Sequence, residues 1–409
     1  MEPARHIAEQ AARRSYGRLV AWLASQFRDI TLAEDAVAEA FAKALSHWPD
    51  TGVPDNPEGW LATVARREIL QHRSRAGRFE AAVPFLKLIA EERQADSEPD
   101  WPDDRLKLMF ACTHPAIDPT MHTPLILQTI LGFSAEDIGS AFCVAPTSMG
   151  QRLVRTKRKI IQAGIGLSVP DSSELPGRLG AILDAIYAAF GLSWSDPASE
   201  NARDVSEEAI WLARLVDGLL PGRAEVLGLL ALMLFSHSRR SARRSPEGDF
   251  VPLSEQDPDV WNKDMIMEAG ACLNIAVSIQ PVGRYQLEAA IQAIHAGRAQ
   301  FGEPDWQTIA GLYDRLWEIH PTIAVFLGRA MAISEIQGAG TGLNLLDELP
   351  ESQISAHQPY WASRAELLRR CGDNDGAQAA YLKAIGLSDD PATRRFLQSR
   401  VQILVENDS

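Results

Sequence analysis

The sequence predicts an all-α protein: two small helical domains followed by a long helical extension. Three observations lead there. Apolar residues recur at intervals of three and four along most of the chain, and no stretch shows the strict alternation of a half-buried strand. Breaks rich in proline, glycine or acids interrupt that rhythm near residues 46–56, 79–103 and 169–173. Of 409 residues, 46% are hydrophobic and 23% charged, a well-packed soluble mix in a chain too long for one ordinary core.

Composition also excludes several function classes. Met1-Glu2-Pro3-Ala4-Arg5-His6 leads into polar sequence, so no secretory leader is expected. No apolar run reaches the roughly 20 residues of a membrane span. The four cysteines (Cys112, Cys143, Cys272, Cys371) are scattered without CxxC spacing, which argues against both a zinc ribbon and a disulfide framework. Cys112-Thr113-His114 offers two ligands with no second pair nearby. No metal and no cofactor is therefore expected, and a reducing cytoplasm is the expected setting. His114, His237, His295 and His320 lack a nucleophile or metal partner in any recognisable pattern, so the chain is not expected to be an enzyme.

Charge is unevenly distributed. The net charge is −14, but residues 1–170 carry 20 basic against 21 acidic residues, and the remainder 20 against 33. Between Ile138 and Pro170 there is no acid at all, while Arg152, Arg155, Lys157, Arg158 and Lys159 lie there. A local basic face of this kind is the electrostatic footprint of phosphate binding.

In chain order, residues 1–78 form the first predicted domain. Thr31-Leu32-Ala33-Glu34 has the form of a capping box, and Leu32, Ala36, Val37, Ala40, Phe41, Ala44 and Leu45 follow at helical spacing. Glu34, Asp35 and Glu39 fall mostly off that stripe. Residues 46–56 read as a loop. Asn56-Pro57 then supplies an N-cap and a first-turn proline for a helix to about Arg75, which carries Trp60, Leu61, Val64 and Ile69 beside Arg66, Arg67 and Arg73. Residues 79–103 read as an acidic linker with Glu91, Glu92, Asp96, Glu98, Asp100 and Asp103.

Residues 104–168 form the second domain. Ser134, with Asp137 reaching back, caps a short helix over 135–142; Cys143-Val144-Ala145 makes a tight turn; Pro146 starts a second helix to about Ile161. Met149, Leu153 and Ile160 face inward, while Thr147, Ser148, Gln151, Arg152 and Arg155 project from its first turns. That is the arrangement of a helix-turn-helix reading a major groove, where Arg forks onto guanine and Gln onto adenine. Lys157 and Lys159 suit phosphates. In the extension, 169–409, Trp361, Ala365, Leu368, Gly372, Ala377, Tyr381 and Ala384 have the spacing of one tetratricopeptide repeat. Arg239, Arg240, Arg243 and Arg244 read there as a solvated loop.

Taken in order, these strings resemble a sigma factor of bacterial RNA polymerase of the extracytoplasmic-function type, in the subfamily with a long tetratricopeptide-like extension. The first domain carries Ala33-Glu34-Asp35-Ala36-Val37-Ala38-Glu39-Ala40-Phe41, Trp48-Pro49, Gly52-Val53-Pro54-Asp55-Asn56-Pro57 and Trp60-Leu61-Ala62-Thr63-Val64-Ala65-Arg66. The second carries Asp104-Arg105-Leu106, Phe110-Ala111-Cys112-Thr113-His114-Pro115 and Gln151-Arg152-Leu153-Val154-Arg155-Thr156-Lys157-Arg158-Lys159-Ile160. The extension carries Gly228-Leu229-Leu230-Ala231-Leu232-Met233, Tyr285-Gln286-Leu287-Glu288-Ala289-Ala290-Ile291, Asp305-Trp306 and Arg394-Arg395-Phe396-Leu397.

The resemblance implies a partner, the polymerase core, bound through its β′ clamp helices by Asp35 and Glu39 and through its β flap. It implies promoter DNA as the second partner. Trp48, Asn56, Trp60, Arg66, Arg67 and Arg73 would hold the melted −10 strand, where stacking surfaces and cations are needed. Thr147, Ser148, Gln151, Arg152, Arg155, Lys157 and Lys159 would read the −35 element. The extension would act as a built-in regulator with a protein partner of its own, and no membrane is involved. Three departures stand out: Gly191-Leu192-Ser193-Trp194 follows Tyr187-Ala188-Ala189-Phe190, Pro258 follows Gln256-Asp257, and Glu68-Ile69-Leu70-Gln71-His72 occupies the −10 helix. The alternatives are a stand-alone helix-turn-helix regulator with a helical sensor domain, and a tetratricopeptide scaffold whose basic helix is incidental.

Overall fold

The structure, a computed structural model, describes residues 2–75, 103–142, 144–192 and 205–407. Most of the predicted linker, Cys143, Ser193 and Trp194 lie outside the described residues. Helices account for the regular structure, and no strand occurs among the described residues beyond an isolated bridge between Arg244 and Phe250. The all-α expectation holds. None of the described helices is long and apolar enough to cross a membrane. The chain divides into two compact units, Met1–Leu192 and Ser193–Ser409.

In the first unit, α1 (Glu2–Phe27), α2 (Ile30–Thr51) and α3 (Pro57–Arg75) pack together around Leu19, Leu23, Val37, Leu61 and Ile69, all without solvent exposure. Two local features differ from expectation. The N-cap of α2 is Asp29, whose carboxylate accepts from Leu32 N at 3.0 Å, so the helix starts ahead of the Thr31 box and leaves Glu34 for another role. The expected loop over 46–56 is helical as far as Thr51, with Pro49 inside the helix. Burial of Trp48 (2% exposed) against Trp60, ring centroids 5.5 Å apart, holds that last turn, and Gly52 N–H bonding Trp48 O closes it. Asn56 does cap α3, accepting from Gly59 N at 2.9 Å.

The unit continues with α4 (Arg105–Cys112), α5 (His122–Thr129), α6 (Ala135–Ala141), α7 (Pro146–Gln162) and α8 (Leu175–Leu192). The expected box is present at the start of α6, where Ser134 Oγ accepts from Asp137 N and Asp137 accepts from Ser134 N, each at 3.1 Å. The break at 169–173 is not where the units divide. Beyond it α8 packs on α4 and α5, with Arg178 donating to Phe110 O at 2.6 Å.

The second unit opens with α9 (Val205–Leu219) and α10 (Ala224–His237). Every residue of α10 from Val226 to His237 is buried, which makes it the axis on which α11 (Lys263–Ala276) and α12 (Arg284–Ala296) pack. Next come α13 (Arg298–Phe301), α14 (Trp306–Ile319), α15 (Ile323–Gln337), α16 (Ala339–Leu346), α17 (Glu351–Ile354), α18 (Gln358–Arg370), α19 (Asn374–Gly386) and α20 (Pro391–Asn407). From α14 onward each helix packs chiefly on near neighbours in the chain. The repeat-like residues form the heart of the α18–α19 pair: Ala365, Ala377 and Ala384 are fully buried, and Tyr381 donates to Glu366 across it at 3.1 Å.

Close approach of α10 and α12 depends on Gly228, where an added methyl group would meet Gln286 N at 2.7 Å. Overpacking of this kind costs about 1–3 kcal/mol. Gly228→Ala should therefore lower the thermal unfolding midpoint of this unit by several degrees; calorimetry showing an unchanged transition would contradict the packing described.

Candidate nucleic-acid interface

Two helices of the first unit carry the predicted polar faces. On α2, Asp35 and Glu39 are exposed one turn apart, with Ala38 and Ala42 beside them, because the inward stripe is taken by Ala33, Val37, Ala40 and Ala44. Glu39 lies 3.9 Å from Lys43 Nζ, which bonds Glu68 on α3 at 2.5 Å. On α7, Thr147, Ser148, Gln151, Arg152 and Arg155 are all exposed, while Met149, Leu153, Lys157 and Ile160 are buried. Hydrogen-bonding side chains thus occupy the free N-terminal turns of a helix whose capped neighbour α6 fixes its approach.

The residues expected to hold a single strand are divided among different roles. Trp48 is in the core, so its ring supports Trp60 and presents no stacking face. Trp60, Arg66 and Asn56 are half-buried, and Arg67 is exposed. Arg73 donates to Phe27 O at 2.6 Å with its guanidinium 4.9 Å from the Phe27 ring, tying α3 back to α1. Lys159 is exposed at the far end of α7, where its ammonium donates to Ala116 O. Cys112 is fully buried against Thr129 Oγ1, and burial pushes its thiol up to about 12.

Lys157 takes a role that its basicity did not suggest. Its ammonium is hydrogen-bonded to the Glu34 carboxylate of α2, with side-chain exposures of only 6% and 10%. Burial pushes the Glu34 carboxyl up, opposed by the attraction of Lys157. Burial, and after it Glu34 and Asp35, push the Tyr16 phenol up as well. The two halves of the unit meet at further points: Gly17 of α1 lies against the Ile130 carbonyl, which an added methyl would approach to 2.1 Å, and Tyr16 packs on Gly132. A sequence signal for Lys157 did exist. It lies four residues after Leu153 and three before Ile160, on the buried stripe of its own helix.

Residues 12–79, which hold α2 and α3, match the family model described as sigma-70 region 2. That stretch of the chain carries a sigma-70 region 2 and supports a sigma-70-type factor. Sigma-70 factors act with RNA polymerase in transcription initiation. The uncharacterized protein R00370 of Rhizobium meliloti (strain 1021) is 34% identical over 388 residues, spanning 92% of this chain and 91% of that protein, so the two chains belong to one family over nearly their whole length. Residues 178–277 match a family of unknown function (DUF6596), which covers α9, α10 and α11. No solved structure matches the chain.

Removing one partner of a buried ion pair leaves a charge uncompensated and costs about 3–5 kcal/mol, whereas apolar replacement of both is often neutral. Glu34→Ala and Lys157→Ala should each destabilise the first unit by that order, while the double variant Glu34→Leu, Lys157→Met stays near the parent. Urea unfolding of all four proteins checks this; simple additivity of the losses would show that the pair is not coupled.

Proposed function

We propose that this protein is a promoter-specific sigma factor of the extracytoplasmic-function type, with a C-terminal extension that regulates it. The observation that carries the reading is the match of residues 12–79 to sigma-70 region 2, coupled to an exposed acidic pair on α2. Asp35 and Glu39 dock on basic clamp helices of the polymerase core, where complementary charge guides encounter and register. Trp60, Asn56, Arg66 and Arg67 contact the unpaired −10 strand, by stacking and by cation contacts to its backbone. Thr147, Ser148, Gln151, Arg152 and Arg155 enter the major groove at −35, and Lys159 lies toward its phosphates.

The packing of the first unit adds a condition to this reading. A helix that reads −35 cannot move independently of the −10 domain while Lys157 is enclosed by Glu34, one residue from Asp35. Polymerase docking at Asp35 and Glu39 is placed to open that contact, so promoter binding by the free protein is weak and the core makes it strong. The extension, with its net charge of −13 and its stacked helix pairs, is the segment that sets this balance.

Transcription reconstituted with purified polymerase core tests the function directly. The protein should bind core and yield transcripts from a defined set of promoters; failure of both would leave it a stand-alone DNA-binding regulator or a scaffold. Asp35→Lys with Glu39→Lys should abolish core binding without changing the unfolding midpoint. Arg152→Ala or Arg155→Ala should weaken promoter binding by about 10–100-fold at one −35 position, the effect of losing about 1–3 kcal/mol of base contact.

A further inference from the structure

The arginines that follow α10, Arg239, Arg240, Arg243 and Arg244, are not the solvated loop that their polarity suggests. They surround a 3-10 turn over Arg240–Arg243, in which Arg239 is only 8% exposed and the other three are half-buried. The segment after that turn is unlike the rest of this helical unit. Between Arg244 and Trp261 no α-helix forms, and the chain carries Glu247, Asp249, Glu255, Asp257 and Asp259 with no basic residue among them. The segment lies within residues 178–277, the stretch that matches the family of unknown function.

This acidic segment is laid against α20, whose residues come 145 positions or more later in the chain. Arg244, at its start, donates to Asp390 at 3.1 Å, just ahead of α20. Asp249 accepts from Arg395 at 2.5 Å, and the same guanidinium donates to Gly248 O at 3.2 Å. Arg400 is hydrogen-bonded to the Glu255 carboxylate. The Phe250 ring meets the Phe396 ring edge to face with centroids 5.5 Å apart, and the Arg400 guanidinium lies 4.8 Å from the centre of the Phe396 ring. Arg298 adds two bonds, to Leu253 O at 2.7 Å and to Ser254 O at 3.1 Å. On α20 two cations and a ring thus meet two acids and a ring of the segment.

The contact is shallow. No residue from Arg244 to Glu255 is buried, and both members of the Asp249–Arg395 pair are half exposed, at 46% and 51%. Exposed ion pairs of this kind contribute little to stability and are screened by salt. The helix beneath is held by other means: Leu397 and Leu404 of α20 are buried in the core of the α18–α19 pair, with Phe396 and Val401 packed beside them. The ends of the segment are also fixed elsewhere. Ser241 Oγ donates to Val260 O at 3.2 Å and Asn262 N to Ser238 O at 2.9 Å, which keeps both ends at the end of α10. The middle of the segment can therefore leave α20 without unfolding a helix.

We propose that the face of α20 bearing Arg395, Phe396 and Arg400 is a docking surface for an acidic peptide segment of a partner protein, one with an aromatic residue beside an acid, and that the chain's own 245–257 segment covers it as a competitor. The present occupant shows the chemistry that fits, since Asp249, Phe250 and Glu255 answer the two guanidiniums and the ring. Arginine suits such a surface because it pairs with carboxylates and stacks on aromatic rings. The net charge of −13 over the extension disfavours a nucleic acid there. The loop within the family of unknown function thereby acquires a role, as a ligand in cis for the helices that follow it. The proposal goes beyond the sigma reading and does not depend on it, because binding is measured on the protein alone.

Fluorescence anisotropy on the full chain, with a fluorescein-labelled peptide of residues 245–257 as the probe, tests the surface. The parent should bind the peptide weakly, because its own segment competes. A freed variant, Asp249→Ala with Phe250→Ala and Glu255→Ala, should bind it about tenfold or more tightly, as expected when the uncovered fraction rises from about a tenth or less toward one. That binding should fall as salt is raised, and Arg395→Gln or Arg400→Gln added to the freed variant should weaken it severalfold. Arg395 is half exposed, so its replacement should leave the thermal unfolding midpoint in place, which separates loss of the surface from loss of fold. A peptide with Asp249→Lys and Glu255→Lys should not bind. No binding by the freed variant, equal affinity in the parent and freed proteins, or equal binding of the lysine-bearing peptide would overturn the proposal. Dimers of the parent that dissociate in the freed variant would seat a second copy's segment on the face and overturn it equally. So would displacement of the probe by single-stranded DNA as readily as by unlabelled peptide.

Discussion

Taking a carboxylate and an ammonium out of water costs several kcal/mol for each ion unless the two find one another. Glu34 and Lys157 satisfy that condition only while α2 and α7 are in contact, and 123 residues of chain separate them. Everything else in the first unit is consistent with this constraint. Asp29 caps α2 in place of the Thr31 box, so the Glu34 side chain is free to turn inward. Gly17 lets α1 approach the carbonyl of Ile130, which brings the second half of the unit close enough for the pair to close. The cost of opening the contact is the same ion pair read in reverse, and this couples α2 and α7, and the halves of the unit that hold them, energetically as well as covalently.

Much of the architecture was legible because helices are local objects. Ser134 and Asp137 cap α6 as their spacing requires, Asn56 caps α3, and the small residues of 361–384 line the α18–α19 pair. The exposed row Thr147, Ser148, Gln151, Arg152 and Arg155 followed from the inward stripe of the same helix. Legibility failed where a residue's chemistry and its position pointed in different directions. Trp48 followed by Pro49 looks like a loop, yet the gain from burying an indole outweighs a missing hydrogen bond near the end of a helix. Lys157 looks like a phosphate contact, and Arg239 like a surface cation, because basic side chains are rarely buried.

By itself the sequence determined the fold class, the starts of α3, α6 and α7, the outward polar faces and the strings that place the chain beside the sigma-70 family. These depend on interactions within a turn or two of helix, whose periods are fixed by backbone geometry. Tertiary structure alone decided that Lys157 belongs to Glu34, that Trp48 belongs to the core, that α8 packs with the first unit, and that four arginines share a half-buried turn. Each of those outcomes rests on the partner a side chain meets across tens or hundreds of residues. Desolvation is judged against that partner, and no local pattern records which partner it will be.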